Sequence, residues 1–153
     1  MERLELRIPP PAITLFFGLA MWLSACYVPH VDIEVPAGNL VSGLLVMLGI
    51  FCDVAGFLAF RDCRTTINPL KPANTLAIVS HGIYRHTRNP MYLGLLLFLT
   101  AWAFWLTNLL AFVFLPGFVI YLTRFQIIPE ERILAAKFGS TYSDYQQRVR
   151  RWC

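Results

Sequence analysis

"MYLGLLLFLTAWAFWLTNLLAFVFLPGFVIYLT", residues 91–123, carries no formal charge from its first residue to its last. A helix needs about 20 apolar residues to cross the hydrocarbon core of a bilayer. This stretch is too long for one crossing and short for two, so it predicts a tight pair of short helices. "WLTNLL" (Trp105–Leu110) supplies the turn, and Pro116-Gly117 is expected to kink or loosen the second helix. Two more stretches have the same character. Ile8–Val28 is uncharged and carries the run Pro9-Pro10-Pro11, and Val35–Phe60 is interrupted only by Asp53. The expected fold is an all-α, polytopic membrane protein forming a single domain. Its transmembrane helices fall at about 11–28, 37–60, 91–106 and 108–125, with a cytoplasmic loop at 61–90 and a cytoplasmic helical tail at 129–151.

The composition agrees. The chain has 153 residues, 57% of them hydrophobic and 14% charged, against about 25% charged in a soluble domain. Mean hydropathy is +0.56. The 13 Lys and Arg fall in three places: Arg3 and Arg7; Arg61, Arg64, Lys71, Arg85 and Arg88; and Arg124, Arg132, Lys137, Arg148, Arg150 and Arg151. The loops around "PHVDIEVP" and "LTN" have none. The positive-inside rule then puts both termini and the 61–90 loop in the cytoplasm. Because the positive charges flank helices instead of forming one face, a nucleic-acid partner is not expected.

The four Cys (26, 52, 63, 153) show neither CxxC nor zinc spacing, so no metal site is expected. Cys26 and Cys52 sit in apolar segments, and Cys63 and Cys153 are expected to be reduced in the cytoplasm. "LSAC" (Leu23–Cys26) has the form of a bacterial lipoprotein cleavage site. Glu2, Glu5 and the three prolines weigh against removal of residues 1–25. There is no internal repeat and no low-complexity linker.

The long loop is not featureless. Asn68-Pro69 and Lys71-Pro72 block continuous helix, and "NTLAIVSHG" suits a short interfacial helix or strand ended by Gly82. "HGIYRHTRNPMYLG", residues 81–94, crowds two His, two Arg, an Asn and two Tyr against the start of an apolar helix. Irregular polar backbone close to a bilayer is tolerable where it is buried in protein or lines a wet cavity. Taken alone, these residues also fit a plain cytosolic loop with snorkelling arginines. In the tail, Pro129 suits the first turn of a helix, and Glu130 and Glu131 suit its dipole. Ile133, Leu134 and Phe138 form an apolar stripe, with Gly139 as the stop. A second short helix from about Thr141 would carry Tyr142, Tyr145 and Val149 on one face, at spacings of three and four, with Arg148, Arg150, Arg151 and Trp152 at the headgroups. One residue stands apart. Asp53 shares a helix face with Gly49 and Gly56, small residues that permit close helix contact. It is open to two readings: a functional carboxylate, or a buried Asp hydrogen-bonded across a helix interface.

Two motifs together are more specific than either alone. The first is G-x-Y-x-x-x-R-x-P-x-Y-x-G (Gly82, Tyr84, Arg88, Pro90, Tyr92, Gly94). The second is Glu130-Glu131 followed by Phe138, Gly139, Tyr142, Tyr145, Arg148 and Val149. The pattern resembles the isoprenylcysteine carboxyl methyltransferase and phospholipid methyltransferase superfamily of membrane enzymes, most closely its short bacterial members, over roughly residues 61–152. The isoprenylcysteine enzymes have Arg-His-Pro where this chain has Arg88-Asn89-Pro90.

The resemblance implies a methyltransferase in the bacterial inner membrane. It implies S-adenosylmethionine held between the last helices and the tail, and a lipophilic acceptor reaching the site from the bilayer. Cofactor-binding residues are then expected among Gly82, Tyr84, Arg88, Asn89, Pro90, Tyr92, Gly94, Glu130 and Glu131. Either Glu suits the ribose hydroxyls, Arg88 or Asn89 the methionine carboxylate, and Tyr84 or Tyr92 the sulfonium. Gly94 allows close backbone approach. Catalytic candidates are Glu130, Arg124 as the cation placing a carboxylate acceptor, and His86, or else His81, as base for an amine. The primary expectation is an isoprenylcysteine-type reaction. The alternatives are a phosphatidylethanolamine-type N-methyltransferase, an NADPH-dependent sterol-reductase-like enzyme and a non-catalytic membrane scaffold.

Overall fold

The computed structural model describes residues 5–27, 38–63, 70 and 72–153. The "PHVDIEVP" loop, Arg3, Arg64, Asn68-Pro69 and Lys71 therefore lie outside the described residues, as does the junction expected at 28–37. The described chain is helical and holds no strand. Helix α1 is Pro10–Tyr27 and α2 is Gly38–Asp62. Helix α3 is Pro90–Leu106, α4 is Leu109–Leu122, α5 is Ile128–Phe138 and α6 is Ser140–Arg148. Single 3₁₀ turns occupy Pro72–Asn74 and Gly82–Arg85, and a π turn occupies Thr123–Ile127.

By length and composition, three helical stretches among the described residues suffice to cross a membrane: Pro10–Tyr27, Gly38–Asp62 and Leu109–Phe138. Helix α3 is apolar but only 17 residues long, shorter than the length of about 20 residues that spans the hydrocarbon core. Apolar side chains such as Leu15, Phe16, Leu44, Phe51 and Val113 are exposed on the outer helix faces. That is the pattern of a bundle facing lipid instead of water.

Helix α3 is the hub. It packs against α1, α2 and α4, most extensively against α2. That pairing follows from the small-residue face of α2: a Cβ at Gly49 would sit 2.7 Å from the Phe98 ring and 3.2 Å from the Gly94 carbonyl oxygen. Met21, Ala103, Ala111, Phe118 and Leu122 fill the core between α1, α3 and α4, all with no exposed surface. The α3–α4 turn falls where "WLTNLL" predicts. Thr107 takes a left-handed conformation (φ 51°), and the Asn108 side chain accepts from the Leu110 N–H at 2.8 Å.

Helix four and the tail are not separate elements. Pro116 lies inside α4, and the departure from α geometry comes later, where the Ile128 N–H bonds to the Thr123 carbonyl in a π turn. Proline lacks an N–H and clashes with the carbonyl four residues back. For Pro129 that carbonyl is Phe125, and widening the turn relieves the clash. The orphaned Phe125 oxygen instead accepts from the Leu6 N–H at 3.1 Å. The chain therefore runs as one interrupted rod from Leu109 to Phe138, with Gly139 (φ 55°) turning it into α6. The element expected over 74–82 is not regular, apart from Asn74, which ends a 3₁₀ turn. Beyond the Pro72–Asn74 turn the backbone has no helix or strand until Gly82.

Candidate functional site

The two polar segments singled out in the sequence meet across a cavity of about 350 Å³. One wall is the start of α3 with the 3₁₀ turn before it, the second is α5 with α6, and the irregular chain at 75–79 forms a third. Helix α2 contributes Asp53 and Phe60, and α1 contributes Pro10 and Pro11. Tyr142, Tyr145 and Val149 pack with Leu134 and Phe138 on the apolar stripe of α5 and with Ile78. The Tyr145 hydroxyl donates to the Tyr84 carbonyl at 2.8 Å, which fastens α6 to the 3₁₀ turn.

Adjacent in sequence, Glu130 and Glu131 have different surroundings. Glu130 Oε1 accepts from the Tyr92 hydroxyl at 2.6 Å and from Gln126 Nε2 at 2.6 Å, and neither bond uses Oε2. The π turn puts the buried Gln126 beneath that carboxylate; such single-turn π insertions often mark functional sites. Glu131 is held by two arginines. Arg151 Nε and Nη2 reach its two oxygens at 3.0 and 2.7 Å, and Arg88 Nη2 lies 2.9 Å from Oε1. Bidentate guanidinium–carboxylate pairing of this kind is strong and directional.

Arg88 is the least satisfied group. Its side chain is only 10% exposed, and its Nε and Nη1 are buried without a hydrogen-bond partner. A buried guanidinium with idle donors is costly unless something fills them. The backbone around it is fully engaged. The Arg88 N–H bonds to the Arg150 carbonyl at 3.0 Å, and Asn89 Nδ2 donates to the Arg151 carbonyl at 2.8 Å.

Burial raises the pKa of each of the wall tyrosines. Tyr84 is pushed well up by desolvation and by the negative charges of its neighbours. Tyr142 is pushed up by desolvation and by Glu131, against the opposing pull of Arg88. Tyr145 is raised to about 12 by desolvation, again opposed by Arg88. All three stay protonated at neutral pH, and the Tyr145 hydroxyl is seen to donate. The Arg151 guanidinium is held above its ordinary value by its hydrogen bonds to Glu131.

Of the candidates named from sequence, Tyr84, Arg88, Asn89, Tyr92, Glu130 and Glu131 line the cavity, and the others do not. Gly82 is an exposed turn residue (φ 59°). His86 is exposed and does not line the cavity, and His81 Nδ1 faces Cys63 Sγ at 3.8 Å. Pro90 is buried at the first position of α3. Gly94 meets α2 and not the cavity: a Cβ there would sit 2.9 Å from Asp53 Cγ. Arg124 is drawn away to Glu5 at 3.2 Å, with Arg132 on the other Glu5 oxygen at 3.4 Å. Sequence reasoning left out Gln126, Arg151 and, as a cavity residue, Asp53. Arg151 and Trp152 were expected at the headgroups. Instead Arg151 grips Glu131, and Trp152 Nε1 donates to Thr123 Oγ1 at 3.2 Å. No local pattern marks Arg151, because its partner is 20 positions away.

A family model described as phospholipid methyltransferase matches residues 38–141. An uncharacterized protein of Haemophilus influenzae is 50% identical over 62 residues, which is 40% of this chain and 98% of that protein. No solved structure matches with significance.

Proposed function

Because the chain belongs to the phospholipid methyltransferase family, we propose that it is an integral membrane enzyme that moves a methyl group from S-adenosylmethionine to a lipid-borne acceptor in this cavity. One observation carries the proposal: Arg88 is buried with Nε and Nη1 unpartnered on the wall facing Glu130. A zwitterionic ligand with a carboxylate and vicinal hydroxyls answers both needs. Its carboxylate would take the idle Arg88 donors, and its ribose hydroxyls would donate to Glu130 Oε2. Glu131 is already occupied by two guanidiniums, so Glu130 is the better ribose partner. When bound, S-adenosylmethionine supplies an electrophilic methyl on a sulfonium. The residues present therefore suit the cofactor.

What the chain contributes is alignment and exclusion of water. Tyr92 and Gln126 hold the Glu130 carboxylate from two sides, which limits its freedom before the ligand arrives. Alignment of reacting groups can contribute about 7–11 kcal/mol toward a barrier. Glu131 fixes Arg88 and ties it to the C-terminal residues through Arg151.

The charge balance favours an amine acceptor over a carboxylate. Asp53, Glu130 and Glu131 line the cavity, and Arg88 is the cation among its lining residues. Arg124, the candidate for placing a carboxylate acceptor, is engaged by Glu5. With Arg88 given to the cofactor, a carboxylate acceptor would meet like charge, whereas the ammonium of a phosphatidylethanolamine-type headgroup would meet opposite charge.

Calorimetric titration of the detergent-solubilised protein with S-adenosylhomocysteine tests the reading. Saturable binding that weakens in Glu130→Gln is expected, and absence of binding would remove the proposal. Incubation with methyl-labelled cofactor and membrane lipid then separates the acceptors. Base-stable label in the lipid fraction supports N-methylation, while base-labile methyl ester would favour the carboxylate reaction.

A further inference from the structure

Asp53 is the one cavity carboxylate with no assigned task. It sits past the midpoint of α2, in contact range of α3, with Glu130 and Tyr84 lining the same space. The room it occupies exists because Gly94 has no side chain: a Cβ there would lie 2.9 Å from Asp53 Cγ and 3.0 Å from the Gly49 carbonyl oxygen. Asp53 Oδ1 is buried and has no hydrogen-bond partner. The titratable groups around it do not supply one. The Tyr92 hydroxyl goes to Glu130, Arg88 Nη2 goes to Glu131, and the neighbouring Cys52 is a buried thiol. Asp53 as a whole is half-buried, and its Oδ1, pressed against α3 without a donor, is expensive to keep. A residue serving only to join helices would be expected to bond across them, as Ser42 does to the Ala101 carbonyl at 3.1 Å.

We propose that Asp53 is the catalytic residue that receives the acceptor: its carboxylate binds the ammonium of the lipid headgroup and takes one of its protons. Phe60 on α2 and Met91 and Leu95 on α3 line the cavity from the same two helices, offering the acyl chains an apolar path to that carboxylate. The inference rests on the methyl-transfer reading above. In the step, the amine gives a proton to Asp53 and its freed lone pair forms the N–C bond. The C–S bond breaks with its electrons remaining on sulfur, so that a methylated amine and S-adenosylhomocysteine result. An ammonium has no lone pair to attack with, so some base must accept that proton, and the two nearby histidines lie outside the cavity.

The test uses the full chain in detergent, with dihexanoyl phosphatidylethanolamine and its phosphatidylglycerol counterpart as probes. Asp53→Asn is expected to bind S-adenosylhomocysteine within about twofold of wild type, since Asp53 is not assigned to the cofactor. Its affinity for the ethanolamine lipid should fall tenfold or more, with no change for the glycerol lipid, and turnover should fall by about 10²–10⁴-fold. The residual rate should climb about tenfold per pH unit, because reaction then draws on amine already neutral in solution. Turnover within threefold of wild type, or equal loss of affinity for both lipids, overturns the inference while leaving the methyl-transfer reading in place. A wild-type protein that binds no S-adenosylhomocysteine overturns both. Should Asp53→Asn fail to fold, carbodiimide coupling of the ethanolamine lipid to the wild-type protein decides. An amide adduct on the peptide containing Asp53 supports the inference, and its absence from that peptide sinks it.

Discussion

Asn89 and Asn108 stand immediately before α3 and α4, in the same position of two successive helices. Asn108 caps: its side chain accepts from the Leu110 N–H at 2.8 Å and closes a tight turn at the end remote from the cavity. Asn89 makes no side-chain cap bond to its own helix and gives its amide to the Arg151 carbonyl, 62 positions away. Around Asn108 the polar side chains secure backbone. Trp102 Nε1 donates to the Gly18 carbonyl at 3.1 Å, and Ser42 to that of Ala101. Around Asn89 the first turn of α3 keeps an uncapped start, Arg88 keeps idle donors and Asp53 keeps an idle acceptor. The group left idle at the Asn108 end is a neutral amide, Asn108 Nδ2, whereas the groups left idle at the Asn89 end belong to a guanidinium and a carboxylate. Burying an unpartnered charge costs far more than burying an unpartnered amide, which marks the Asn89 end as the binding candidate.

That contrast can be broken by substitution, and among the residues that hold the cofactor in this reading the largest effect on methyl transfer is expected at Arg88. Arg88→Ala removes the idle donors and one of the partners of Glu131. Loss of a partner from a buried charge pair costs about 2–5 kcal/mol, so the rate should fall on the order of 100-fold or more in a radiolabel transfer assay. Arg88→Lys should recover little, because an ammonium cannot present the guanidinium fork.

Next come the two glutamates, which should part ways. Glu130→Gln should weaken S-adenosylhomocysteine binding by about 1.5–3 kcal/mol, the worth of hydrogen bonds to a charged group, with the melting temperature little changed. Glu131→Gln should act mainly on stability. It leaves Arg88 unpaired, and with Arg151 already over a third exposed the loss should be about 2–3 kcal/mol. Calorimetry and thermal unfolding measured on both variants would erase the distinction if the two behaved alike.

Smaller effects sharpen the comparison. Asn89→Ala removes one hydrogen bond to the C-terminal residues, about 1 kcal/mol. It should make the chain beyond Gly139 more sensitive to protease, with a turnover loss of a few fold. Asn108→Ala should lower stability by about 0.5–2 kcal/mol through its lost cap and leave turnover unchanged. If Asn108→Ala impaired turnover as much as Asn89→Ala, the two ends of α3 would not differ in kind.

Much of this was legible in the chain itself. The apolar runs place α1 to α4 to within a few residues, because burial in lipid demands a length and an absence of charge that composition displays directly. The Tyr- and Arg-rich approach to α3 and the Glu130-Glu131 pair were recognisable as partners through their family pattern. The candidates that lie away from the cavity share a feature. Gly94 and Arg124 were assigned by chemical type, yet their roles depend on which element packs beside them, Asp53 in the first case and Glu5 in the second. The helix expected to stop before Pro129 continues, since a π turn and the distant Leu6 N–H absorb the proline's two defects.

The sequence by itself determined that the chain is helical, that its helices are greasy enough for lipid, and which two segments crowd polar side chains together. Those properties are sums over neighbouring residues, and periodicity, charge and motif record such sums. Only the tertiary structure decided that Glu130 takes Tyr92 and Gln126 on one oxygen while Glu131 is clamped by two arginines, that Arg88 has donors to offer, and that Asp53 shares their cavity. Each of these is a statement about partners tens of positions apart, and hydrogen bonds over that separation are chosen by the packing of whole helices.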